Sequence, residues 1–159
     1  MKKLLMAGAL SIAFIAGPAS AEMYVGVGAG ASKTDNNENS WKLYTGIQFT
    51  PTWGLELGYN DLGSYRGADI ESWTLAGTGT MPMGDGWSLL GKLGAASNRP
   101  DFSGASNHTD WLVGIGVGYS MTKNLGLRLE YEDFGKLSDV STGDNSRGRN
   151  LGLSLKYAF

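Results

Sequence analysis

The sequence contains no cysteine, so an exported domain built from it must be stabilised without disulfides. Beyond residue 21 no apolar run approaches the ~20 residues that a transmembrane helix needs. If the chain sits in a membrane, only a closed β-barrel remains, because lipid cannot satisfy free backbone groups. The net charge is −2, and no basic cluster points to nucleic acid. Histidine occurs once, as His108, and proline only four times. What is abundant is glycine, with 25 residues. There is no collagen period, so the glycines need a positional explanation.

The first residues read as a targeting segment. Lys2 and Lys3 precede an apolar run over residues 4–17, which ends in the small-x-small pattern of residues 18–21. That is the pattern of a secretory signal peptide. Cleavage after Ala21 is expected, leaving one domain over residues 22–159.

Alternation with period two then runs through the chain and marks strands, since successive side chains point to opposite faces. Residues 23–31 form the first expected strand, with Val25, Val27 and Ala29 opposite Gly26, Gly28 and Gly30. Further strands are expected at 41–49, 53–60, 71–81, 87–95, 110–121, 125–133 and 150–159. The last carries Leu151, Leu153, Leu155, Tyr157 and Phe159 on one parity and Gly152, Ser154, Lys156 and Ala158 on the other. Long polar connections at 32–40, 61–70, 96–109 and 135–148 alternate with tight turns at 50–52, 82–86 and 122–124. Eight strands with this alternation describe an all-β, antiparallel, up-and-down transmembrane barrel, with short turns on one side and longer loops outside.

Alternation alone does not say which face is wet, because a soluble eight-stranded barrel also alternates. Three features favour an apolar exterior. All five tryptophans, Trp41, Trp53, Trp73, Trp87 and Trp111, lie on the apolar parity, each read as opening a strand. With Tyr59 and Tyr131 at the loop end, and Phe49, Tyr119, Tyr157 and Phe159 at the turn end, they make two aromatic girdles of the kind found at membrane–water interfaces. Glycine collects on the opposite parity, where a narrow barrel interior needs space for larger neighbours. That parity also carries Lys42, Glu56, Lys92, Arg128, Glu130, Glu132 and Lys156. Enclosed by a barrel, these charges must pair.

Residues 50–59 (TPTWGLELGY), 122–131 (TKNLGLRLEY) and 151–159 (LGLSLKYAF) resemble the OmpA-type transmembrane domain and the opacity-type surface antigens. The resemblance implies an eight-stranded outer-membrane barrel with interior salt bridges; Glu56, Lys92, Arg128, Glu130 and Lys156 are the counterparts here. It also implies insertion by the barrel assembly machinery, which reads a final strand ending in an aromatic; Leu151, Leu153, Leu155, Tyr157 and Phe159 match that signal. Full OmpA proteins add a peptidoglycan-binding domain, a tethering role not expected of a chain that stops at the barrel.

No chemistry stands out. His108 lies with Ser103 and Ser106 in the third long connection, and some outer-membrane barrels modify lipid A with a rim histidine and serine. A nucleophile, however, needs a base and an orienting group in reach, and no His-x-Ser motif is present. The acids Asp35, Glu38, Asp61, Asp69, Asp101, Asp139 and Asp144 lack EF-hand spacing. The repeats at 26–30 and 114–118 have period two and no following helix, so they are not phosphate loops. Asn107 opens a sequon, a short and weak pattern. The expectation is a monomeric, cofactor-free, non-enzymatic barrel. Its surroundings are outer-membrane lipid and lipopolysaccharide, and its role is structural or antigenic and adhesive through four external loops. A narrow porin-like channel, a rim enzyme using His108 and a soluble periplasmic barrel are the alternatives.

Overall fold

The computed structural model describes residues 21–33, 37–65, 68–100, 108–136 and 147–159. These form eight strands: β1 (Glu22–Lys33), β2 (Asn37–Gln48), β3 (Trp53–Tyr65), β4 (Ala68–Gly84), β5 (Trp87–Pro100), β6 (His108–Ser120), β7 (Leu125–Lys136) and β8 (Arg147–Ala158). Each pairs antiparallel with its sequence neighbours, and β1 pairs with β8 to close the barrel. Closure leaves no unpaired edge. The seam runs from Tyr24 opposite Ala158 to Lys33 opposite Arg149. It is finished by the Phe159 amide, which donates to the Met23 carbonyl at 2.9 Å.

Two of the turns are built alike. In residues 49–52 the Thr50 hydroxyl accepts the amides of Thr52 and Trp53 at 3.3 and 2.9 Å. In residues 121–124 the Thr122 hydroxyl accepts those of Asn124 and Leu125 at 3.3 and 3.0 Å. A threonine hydroxyl closing the backbone in this way is a local turn signal. The third turn is tighter. Asp85 and Gly86 have φ of 51° and 81°, the left-handed pair that a two-residue hairpin requires. Here β4 runs on to Gly84, so the turn expected at 82–86 contracts to two residues. Pro82 is tolerated because it lies past Gly79, where the ladder from Trp53 onward ends on the β3 side.

The strands overrun their expected ends on the opposite side. They leave only residues 34–36, 66–67, 101–107 and 137–146 between them. Glu38, Asp61 and Asp69, placed in loops by the sequence, lie in strands, and so does His108, opposite Asn98. The reason is that ladder hydrogen bonds need no apolar side chains. The greasy alternation stops where lipid stops, while pairing continues into water. β4, with 17 residues, exceeds the ~9–11 that cross a bilayer. For the same reason Trp41, Trp73 and Trp111 do not open strands; each lies several residues inside one. At the other end β2 stops at Gln48, putting Phe49 in the turn.

The barrel is apolar outside and polar inside. Leu93, Ile115 and Leu153 are 60, 59 and 54% exposed, whereas Lys42 and Glu130 are 4 and 2% exposed. A water-soluble fold does the reverse, and an apolar surface this continuous marks a membrane face. Aromatic side chains cluster at both rims of that face. Tyr59 stacks against Trp41 and Trp73 at 5.4 and 5.2 Å between centroids, and the Trp41 indole donates to Asp61 at 3.1 Å. At the turn end Trp87 meets Tyr119 at 4.9 Å and Tyr157 meets Phe159 at 5.3 Å.

Candidate functional site

The interior charges that meet come from four strands: Lys42 on β2, Glu56 on β3, Lys92 on β5, and Arg128, Glu130 and Glu132 at alternate positions of β7. Each stands across a strand pair from a glycine. Lys42 faces Gly28, Glu56 faces Gly46, Lys92 and Glu132 face Gly114, Glu130 faces Gly116 and Arg128 faces Gly118. A side chain at most of those positions would press on neighbouring backbone or lumen side chains, and at Gly114 and Gly116 on the charged ones themselves. A Cβ on Gly116, for example, would fall 2.9 Å from Glu130 Cγ. The glycine parity therefore frees the space through which long charged chains cross the lumen.

Those side chains meet in one network. Lys42 Nζ donates to Glu130 Oε2 at 2.6 Å and to Glu132 Oε2 at 3.0 Å. Lys92 Nζ donates to Oε1 of the same two glutamates at 2.7 and 3.0 Å. Two ammonium groups and two carboxylates thus close a ring. Lys92 makes its third contact with Glu56 Oε1, whose other oxygen accepts from Arg128 Nη1 at 2.8 Å and from the Tyr24 hydroxyl at 3.0 Å. Three cations and three anions cancel, and every carboxylate oxygen has a partner. This is the condition under which buried charge is tolerated.

Two tyrosines that sequence reasoning missed as site residues line the same space. Tyr24 lies opposite Gly46 and Tyr44 opposite Gly26. Each ring covers the other strand's glycine so closely that a Cβ there would fall on it. The rings meet edge to face at 6.2 Å, and the Arg128 guanidinium sits 5.0 and 5.3 Å from their centroids. Tyr44 also shares a hydrogen bond with Ser154 at 3.1 Å. The signal was present in the sequence, as an aromatic on the glycine parity facing a glycine. Toward the loop end the lumen continues with the Ser40 hydroxyl donating to Asn150 at 2.7 Å. A small apolar plug of Ala76, Ala96, Leu112 and Phe134 follows. Phe134 escaped notice because β7 was expected to stop before it.

Lys156 is not part of the network. It faces inward from β8, opposite Gly126, but lies nearer the turn end. Its carboxylate neighbour there is Glu22, at 4.0 Å, and its Nζ lies 4.6 Å from the Tyr24 ring. The interior is thus an even set of six charges with one cation apart, rather than one set of seven.

Among the described residues no cluster of His, Asp or Glu could hold a metal ion. The His108 side chain, Ser103 and Ser106 lie outside the described residues, as do Asn107, most of the acidic loop residues and residues 1–20 of the expected signal peptide.

A closed barrel with a lipid-facing apolar wall, two aromatic rims and a charge-balanced ionic network inside is an integral outer-membrane protein. The family model of the outer membrane protein beta-barrel domain matches residues 4–159, and the chain belongs to that family. It is 26% identical over 152 residues to outer membrane protein A of Serratia marcescens, covering 83% of this chain. The chain spans 42% of that relative's length. Among solved structures it resembles Ail, the attachment invasion locus protein of Yersinia pestis, in complex with the heparin analogue sucrose octasulfate. The TM-score is 0.57, with 18% identity over 87% of this chain and 97% of that one. It resembles the outer membrane enzyme PagL with a TM-score of 0.60 and 16% identity, over 84% of this chain and 98% of that one. At such identities the structural likenesses speak for the fold.

Proposed function

We propose that the protein is a closed, non-conducting, non-enzymatic barrel that braces the outer membrane and presents its loop-end hairpins to partners outside the cell. The observation that carries this reading is a lumen filled from the ionic ring toward the loop end. The ionic ring, the tyrosine pair and the Phe134 cluster occupy successive levels of the interior, which leaves the hairpin tips and rims as the working surfaces. Strands that continue beyond the membrane support it, because they form rigid stalks for the connections at 101–107 and 137–146. Lipopolysaccharide surrounds those stalks, and the barrel works as a monomer. Leu151, Leu153, Leu155, Tyr157 and Phe159 serve as its assembly signal, and residues 1–21 as a cleaved signal peptide.

Ail's sulfated ligand does not transfer readily. Asp101, Asp139 and Asp144 lie in the two longer connections beside the flanking Arg99, Lys136, Arg147 and Arg149, which leaves no strong basic surplus there for a polyanion. Replacing 101–107 and 137–146 with short Gly-Ser linkers should leave heat-modifiable gel mobility intact and abolish attachment of cells to surfaces. Unchanged attachment would sink the display reading. Altered detergent sensitivity of cells lacking the whole protein, restored by the linker variant, would assign the role to bracing.

A further inference from the structure

The lumen is filled at the level of the ionic ring but not below it. At the turn end lies a cavity of about 360 Å³ lined by Arg128, Lys156, Lys123, Glu22, Ser88 and Ser120, among others. Its size falls in the range of small-molecule sites. Its charge is unbalanced. The ionic network is already neutral with Arg128 included, so Lys156 and Lys123 bring surplus positive charge. The carboxylate on this lining is Glu22, 4.0 Å from Lys156 and half exposed, while the Lys156 side chain is four-fifths buried. A mostly enclosed ammonium with so loose a counter-ion favours an anion beside it.

The floor is pre-built. Arg128 is 5% exposed and held by Glu56 through Nη1 and by the Tyr24 and Tyr44 rings. A guanidinium has five donors, so its bond to Glu56 leaves others for the cavity it lines. Serine hydroxyls at 88 and 120 add neutral donors. A fixed guanidinium, two ammonium groups and hydroxyls suit an anion with several acceptor oxygens.

We propose that this vestibule binds a phosphate-class oxyanion between Arg128, Lys156 and Lys123. Two sources share that chemistry. One is free phosphate or a phosphomonoester. The other is a phospholipid headgroup reaching over the rim, where Trp87 and Tyr119 mark the membrane interface.

The test uses the folded barrel in maltoside micelles, which carry no phosphate. Inorganic phosphate and glycerol 3-phosphate are titrated against chloride at equal ionic strength, so that screening is matched. Amide shifts of Gly126, Arg128 and Lys156 report binding. Saturable shifts specific to phosphate are expected. Lys156→Gln and Lys123→Gln should each weaken binding by about tenfold, the loss of one charge-assisted contact. Neither residue belongs to the ionic network, and gel mobility checks that both variants fold. In phospholipid nanodiscs, bound-state shifts without added phosphate, absent in Lys156→Gln, would assign the headgroup as source. A titration like that in micelles would assign the free anion. Shifts that chloride reproduces, that do not saturate, or that survive both substitutions unchanged would overturn the site.

Discussion

Replacing Lys92 by methionine removes one cation of nearly the same length from the centre of the network. Lys92 Nζ touches Glu56, Glu130 and Glu132, all within 3.0 Å and all nearly fully buried. The six-charge set then passes from neutral to one net negative charge with no water to absorb it. Breaking a buried pair by deleting one partner costs about 3–5 kcal/mol. With a urea dependence of about 2 kcal/mol/M, the unfolding midpoint should fall by roughly 2 M. The second variant decides the cause. Lys92→Met combined with Glu132→Gln leaves Lys42 with Glu130 and Arg128 with Glu56, two cations against two anions, and should recover at least half of the loss. Arg149→Met is the control. Arg149 lies 3.6 Å from Asp133 and is about half exposed, so its pair contributes less than ~1 kcal/mol. Urea unfolding of the refolded barrel, followed by tryptophan fluorescence and by band shift, measures all three and Glu132→Gln alone. If Lys92→Met cost no more than Arg149→Met, or if the double variant were as unstable as the two single losses added, the network would not be a coupled, charge-balanced unit.

Other positions test other parts of the account. Gly94→Val places a side chain against the Leu75 carbonyl and Ala76 on the neighbouring strand. Overpacking of about 1–3 kcal/mol or more is expected in the same unfolding assay. Leu153→Arg, on the lipid face of β8 between the two girdles, should cost about 2–4 kcal/mol in lipid vesicles; a neutral result would place that face elsewhere. Thr122→Val removes two turn hydrogen bonds and should cost about 1–3 kcal/mol, with Thr50→Val giving a similar value because the turns are alike. Deleting Phe159 should lower the amount inserted into outer membranes in cells while refolding in detergent proceeds; normal insertion would contradict its role as an assembly signal.

The staves were legible in the sequence because lipid imposes a strict rule. Leu151, Leu153 and Leu155 must face hydrocarbon, so their parity could not be missed. The charged lumen was legible for the opposite reason, since Glu130 and Glu132 alternate with leucine and tyrosine on β7. Strand ends were not legible where the same rule lapses. Glu38, Asp69 and His108 sit in strands that pair in water, where no solvent boundary stamps a pattern on side chains. Membership of the network depended on height along the barrel axis as well as on facing. Lys156 has the right parity and the wrong level, a difference set by register and stagger. The tyrosine pair depended on register too. Only when Tyr24 is set opposite Gly46 does the glycine explain the ring.

The most direct test is electrical. Purified wild-type barrel, inserted into a planar bilayer, should give no steady conductance if, as proposed, the ring of Lys42, Glu130, Lys92 and Glu132 and the Phe134 cluster close the lumen above the turn-end vestibule. A stable ohmic current that changes in Lys92→Met would show a continuous wet path through the network and contradict the closed-barrel account.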